Sequence, residues 1–117
     1  MEEFVTKSLL FDFYGELLTE HQKKIYQAVV FEDLSVSEVA QEEGISRQGV
    51  HDLMRRCERL LEEYEEKLHL VERFLRIRGQ VQAVRKLAEP QKERTAEELQ
   101  QDLHKIDAAA TAILEEL

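Results

Sequence analysis

Residues 35–61 read SVSEVAQEEGISRQGVHDLMRRCERLL, and the spacing inside that stretch predicts a helix-turn-helix. Ser35 is placed to cap a first helix, and Glu38 three residues on completes a capping box ahead of Val39 and Ala40. Gly44 ends that helix where the chain needs a positive φ, which glycine adopts without steric cost. Ile45 plugs the turn, and Ser46 caps the second helix. Val50 and Leu53 then face back onto Val39 and Ala40. Ala40 is small where two helices must approach closely, and Gly44 and Val50 follow at the spacing the turn requires. Caps, spacing and helical period all agree, and that agreement is far more specific than any single motif letter.

Upstream, Phe4 to Tyr14 is apolar on most of its circumference, which predicts a buried helix stopped by Gly15. Thr19 and Gln22 form a second capping box, ahead of a helix whose inner face is Ile25, Tyr26, Val29 and Val30. Downstream, Met54, Leu61, Leu68 and Leu75 recur every seven residues, and Val50, Cys57, Tyr64 and Val71 form a parallel series. No glycine after Gly49 and no proline interrupts the run before Gly79. The second helix of the motif is therefore expected to continue from Arg47 to about Arg78, roughly 48 Å at 1.5 Å per residue. Gly79 permits a bend, and Val81, Val84 and Leu87 suggest a short helix before Pro90. EPQKER at 89–94 reads as a polar hinge. Thr95 with Glu98 caps a last helix carrying Leu99, Leu103, Ile106, Ala110, Ile113 and Leu117.

The fold class is accordingly all-α: a helix-turn-helix domain including the long helix over 1–78, and a C-terminal helical extension over 79–117. At 117 residues and 43% hydrophobic the chain can bury a core. No run of about 18 apolar residues is present to span a membrane. No charged-then-apolar leader begins the chain, so secretion is not expected. The formal net charge is −9, but it is unevenly placed. Residues 1–45 carry net −7, residues 46–78 net +1 and residues 79–117 net −3. The second helix of the motif is the one part that is not acidic, so a local basic surface can exist on an acidic body.

Candidate nucleic-acid contacts are Arg47, Gln48, His51, Arg55, Arg56 and Arg59. Arg pairs with guanine and Gln with adenine in bidentate fashion, and the later arginines are placed for phosphates. Asp52 opposes phosphate unless it accepts from cytosine. Gly49 fits either close approach to a groove or tight packing near the helix start. A second basic cluster, Arg73, Arg76, Arg78, Arg85 and Lys86, fits either a grip on an acidic partner or an ordinary solvated surface with Glu pairs.

Catalysis is not expected. Cys57 lies in the apolar stripe as a small hydrophobe with no base at activating spacing. His21, His51, His69 and His104 are scattered, and Glu65 with His69 is an i,i+4 pair rather than a ligand set. No phosphate-cradling glycine loop occurs, and neither cofactor nor metal is implied. Leu61, Tyr64, Leu68, Val71, Phe74 and Leu75 form a strip expected to lie beyond the preceding helices. It predicts a homodimer, with a helical hairpin within one chain as the competing outcome.

LTEHQ at 18–22, GISRQGV at 44–50 and CERLLEEYEEKLHL at 57–70 resemble the YlxM family of small bacterial proteins over residues 4–78. The same stretch is similar in architecture to the −35-reading domain of bacterial sigma factors, a helix-turn-helix of the winged-helix-like class. Arg47 agrees with that pattern. Gln48, His51 and Asp52 stand where sigma factors tend to place glutamate, arginine and glutamine. The resemblance implies a cytoplasmic, non-enzymatic regulatory or accessory factor of the signal recognition particle pathway. Nucleic acid and the particle's components are the partners it implies. The alternative is a protein-interaction module, engaging a second copy or the targeting GTPase, that keeps the helix-turn-helix as a scaffold.

Overall fold

Four hydroxyl side chains set helix starts. In a computed structural model describing residues 3–90 and 93–117, Thr19 Oγ1 accepts from Gln22 N at 3.1 Å while Gln22 Oε1 accepts from Thr19 N at 3.0 Å. Ser35 and Glu38 repeat the arrangement at 3.1 and 3.3 Å. Ser46 Oγ accepts from Gly49 N at 2.9 Å, and Thr95 Oγ1 from Glu98 N at 3.1 Å. Each bond satisfies a backbone donor that a helix start leaves open. The elements are α1 (Glu3–Tyr14), a 3-10 turn (Gly15–Leu17), α2 (Glu20–Val30), α3 (Val36–Glu43), α4 (Arg47–Leu68), α5 (Leu70–Leu87) and α6 (Ala96–Glu116). Among the described residues there is no strand, so the all-α assignment holds.

Two compact units divide the chain, Met1–His69 and Leu70–Leu117. In the first, α3 and α4 form the helix-turn-helix and α2 packs across them. Gly44 has φ 68° and its N–H reaches the Ala40 carbonyl. The Ile45 N–H reaches the same oxygen at 3.1 Å. Ile25 and Ala28 from α2, Val39 and Ala40 from α3, and Val50 from α4 make the core, with Ile45 and Leu53 against it. Asp33, at φ 57°, turns the chain between α2 and α3. Its neighbour Leu34 donates back to the Ala28 carbonyl at 3.1 Å.

α1 buries one face rather than its whole circumference. Leu10 and Tyr14 are buried, whereas Phe4 is 57% exposed. Phe11 stacks on Tyr26 with ring centroids 5.6 Å apart, and Phe11 and Phe4 both meet Phe31. α1 also reaches further along α4 than its length suggests. Tyr14 lies against Tyr64, with centroids 6.0 Å apart, and its hydroxyl donates to Glu65 Oε1. Leu61 is fully buried in this unit.

The expected continuous helix from Arg47 to Arg78 is corrected. α4 ends at Leu68, capped by His69 at φ 56°, whose N–H still bonds the Glu65 carbonyl at 2.8 Å. Histidine is among the few non-glycine residues that enter the left-handed region with any frequency. The short helix expected after Gly79 is not separate either, because α5 runs unbroken from Leu70 through Gly79 to Leu87. Residues 89–94 join α5 to α6 as a non-helical segment wherever they are described; Gln91 and Lys92 of the EPQKER hinge lie outside the described residues.

In the second unit α5 and α6 pair as a helical hairpin, the arrangement weighed against dimerisation. Arg76 Nε donates to Glu116 Oε1 at 2.6 Å and its Nη1 to Glu72 Oε1 at 2.9 Å. Near the other end of α6, Arg94 pairs with Asp102 at 3.3 Å.

Candidate nucleic-acid interface

At the period of an α-helix, a residue four positions after another lies almost directly above it. In α4 that rule separates two faces. Val50, Cys57 and Leu61 point to the core and are fully buried. Gln48, Asp52, Arg55 and Arg59 lie on the opposite face, with His51 and Arg56 flanking them, and all six are exposed. Arg47, the first residue of the helix, is exposed too. The six contacts expected from sequence thus share one solvent-facing surface at the start of the second motif helix. That is where a helix of this motif meets base edges.

The charges on this surface are not equivalent. Arg47, Arg56 and Arg59 make no ion pair among the described residues, so they stand as uncommitted cations. Arg55 is tied: its Nη2 donates to Asp52 Oδ1 at 2.6 Å, and Gln48 Nε2 donates to the same oxygen at 2.9 Å. The hydrogen bonds from Arg55 and then Gln48 hold the Asp52 carboxyl below the usual carboxylate range. It therefore carries its charge throughout the neutral range.

Gly49 belongs to the helix cap. A Cβ placed there would lie 3.2 Å from Ser46 Oγ, the oxygen that accepts from its own N–H. The residue keeps the capping hydroxyl in place. Beside it, an open groove of about 400 Å³ runs between α2 and α4, lined by Thr19, His21, Gln22, Gly49, Asp52, Leu53 and Arg56. Glu43 tethers the outer side of α2 to α3 through Lys24 Nζ at 3.1 Å, with His21 Nδ1 at 3.9 Å.

Cys57 has no part in this surface. Burial pushes its thiol up to about 11, so it stays protonated and unreactive at neutral pH. Burial likewise pushes the Tyr26 phenol up to about 12. Of the strip expected to pair two copies, Leu61 is spent inside the first unit and Tyr64 is half-buried there. Val71 is buried and Leu75 half-buried, while Leu68 is 48% and Phe74 38% exposed. Sequence reasoning missed Tyr14 and Glu65 as a tie between α1 and α4. An aromatic closing an apolar helix is too common a pattern to single out such a bond.

No helix among the described residues is long and apolar enough to cross a membrane. The profile of the family described as "UPF0122: Putative helix-turn-helix protein, YlxM / p13 like" matches residues 1–106. A UPF0122 protein of Symbiobacterium thermophilum is 46% identical over 85 residues, covering 70% of this chain and 79% of the relative. One from Bacillus licheniformis is 41% identical over 107 residues, covering 92% of this chain and 98% of the relative. Another, from Halalkalibacterium halodurans, is 38% identical over 107 residues, covering 92% and 96%. With its helix-turn-helix matched end to end inside that profile, the chain belongs to the UPF0122 family of YlxM/p13-like helix-turn-helix proteins.

Proposed function

We infer that the protein is a non-enzymatic nucleic-acid-binding factor that serves the signal recognition particle pathway of the cytoplasm. The observation that carries the binding half is the survival of Arg47, Arg56 and Arg59 as exposed cations on the outer face of α4. Of the four arginines at stake, Arg55 is consumed by Asp52; had the other three been consumed as well, a scaffold role would have been favoured. The pathway half rests on the YlxM resemblance. Binding is weak and strongly salt-dependent, because few cations face the ligand and the net charge of −9 opposes approach.

The test is equilibrium binding to generic duplex DNA and to the particle's RNA across a salt series. Three phosphate contacts, from Arg47, Arg56 and Arg59, give a log–log slope of about −2.7 on duplex DNA, at about −0.9 for each contact. Replacing Arg47, Arg56 and Arg59 by alanine brings the slope close to zero on the same reckoning. Tight binding that ignores salt, or a slope unmoved by the triple substitution, contradicts the mechanism.

A second reading is favoured by α6 and the residue that caps it, where Leu99, Leu103, Leu114 and Leu117 leave apolar surface uncovered and Leu103 is 64% exposed. These residues recur on one side of the helix. In this reading the chain pairs with a second copy through that side. Sedimentation of the wild type beside Leu103→Glu distinguishes the two: a wild type already monomeric at micromolar concentration removes the pairing.

A further inference from the structure

We propose that Asp52 is the base-selecting residue of the α4 face, accepting from the amino group of a cytosine and turning bare phosphate away. The proposal rests on the nucleic-acid reading above and deepens it. Asp52 Oδ1 accepts from Gln48 Nε2 at 2.9 Å and from Arg55 Nη2 at 2.6 Å. One side chain a turn before it and one a turn after it are therefore both anchored on a single carboxylate oxygen. Those two are the residues that would otherwise read adenine and guanine. With both committed, the group presented at the centre of the exposed face is an acceptor.

A carboxylate accepts only, and has capacity for about four hydrogen bonds. Two donors leave it able to take more. In a major groove, guanine offers the acceptors N7 and O6, thymine offers O4, and adenine's N6 amino donor stands beside its acceptor N7, whereas cytosine offers its N4 amino donor with no acceptor beside it. Phosphate oxygens are acceptors and carry charge, so they are repelled as well. The uncommitted cations Arg47, Arg56 and Arg59 surround this acceptor and supply backbone contacts. The arrangement trades uniform affinity for discrimination, which is how a repulsive element creates specificity.

The experiment uses the full chain, as wild type, D52N and D52A, against a pool of duplex DNA with a randomised core. Binding is measured at about 50 mM and about 200 mM salt, a range over which electrostatic affinity changes steeply, and the bound DNA is sequenced. Wild type should enrich cytosine at one core position by about fivefold or more, the lower end expected for a good side-chain–base pair. D52A should lose that enrichment, and D52N, which keeps one acceptor oxygen without the charge, should retain part of it. Both variants should bind the whole pool several-fold more tightly at the lower salt, with the gain shrinking at the higher. Matching thermal melts of the three proteins tie the result to the interface rather than to folding.

Unchanged enrichment in D52A overturns the proposal. So does tighter binding by the variants with no base preference in the wild type, which reduces Asp52 to a repelling charge. Either result leaves the nucleic-acid reading standing. Failure of all three proteins to bind the duplex pool at the lower salt overturns this proposal, and the nucleic-acid reading falls with it when the particle's RNA is not bound either.

Discussion

At Gly44 the backbone sits at φ 68° and ψ 32°, and a Cβ built there meets nothing within 4 Å. The requirement is one of conformation, not of room. Gly44→Val should therefore destabilise the protein by about 1–3 kcal/mol, the cost of holding a β-branched residue in the left-handed region. Gly44→Asn, which tolerates that region, should recover much of the loss. Thermal melting of both variants checks the pair, and a valine variant as stable as the wild type would show that the turn is not built this way. Gly49 makes the opposite case, since its φ is ordinary and the constraint is the 3.2 Å approach to the capping hydroxyl of Ser46. The same residue type thus answers a dihedral demand at one position and a distance demand five residues later.

Helices follow the same division between local and distant causes. The starts of α2, α3, α4 and α6 were legible in the sequence because each is decided within four residues, by a hydroxyl and the backbone N–H it accepts from. The helix-turn-helix core was legible because Val39, Ala40 and Val50 meet at fixed spacing around a glycine. The end of α4 was not. His69 adopts a left-handed conformation that neither glycine nor proline announces, and the heptad pattern runs across it undisturbed. Reading a period alone gave one helix where there are two. The outer face of α4 could be listed from period alone, but not the sharing of one Asp52 oxygen by Gln48 and Arg55, which depends on rotamers. Packing sets the scale of the next expectation. Ile25 is fully buried where α2 meets the core residues of α3 and α4, so Ile25→Ala should cost about 2–5 kcal/mol. Chemical denaturation measures it, and a loss below about 1 kcal/mol would mean that the site collapses around the smaller side chain.

On the scale of the whole molecule, acidity and helix pairing meet in the second unit. The hydrogen bond from Arg76 holds the Glu116 carboxyl below its ordinary value of 4.5. A carboxyl whose folded value is depressed contributes stability above its unfolded value and loses it as pH falls through the folded one. The contribution of this pair should be fully present at pH 6 and should disappear below the ordinary value of 4.5. Melting the wild type beside Glu116→Gln between those conditions tests it: the two curves should differ at the higher pH and converge in acid. A gap that stays constant with pH would assign the difference to something other than the charge.

The buried cysteine of α4 gives the experimenter something further. Cys57 is the chain's one cysteine, it is fully enclosed, and its thiol is pushed up to about 11. A disulfide reagent in excess can reach that sulfur only when the helices around it separate. The rate of the colour change, set against that of a free thiol, then counts how often the first unit opens. No label or substitution needs to be introduced, so the wild-type chain serves as its own stopwatch.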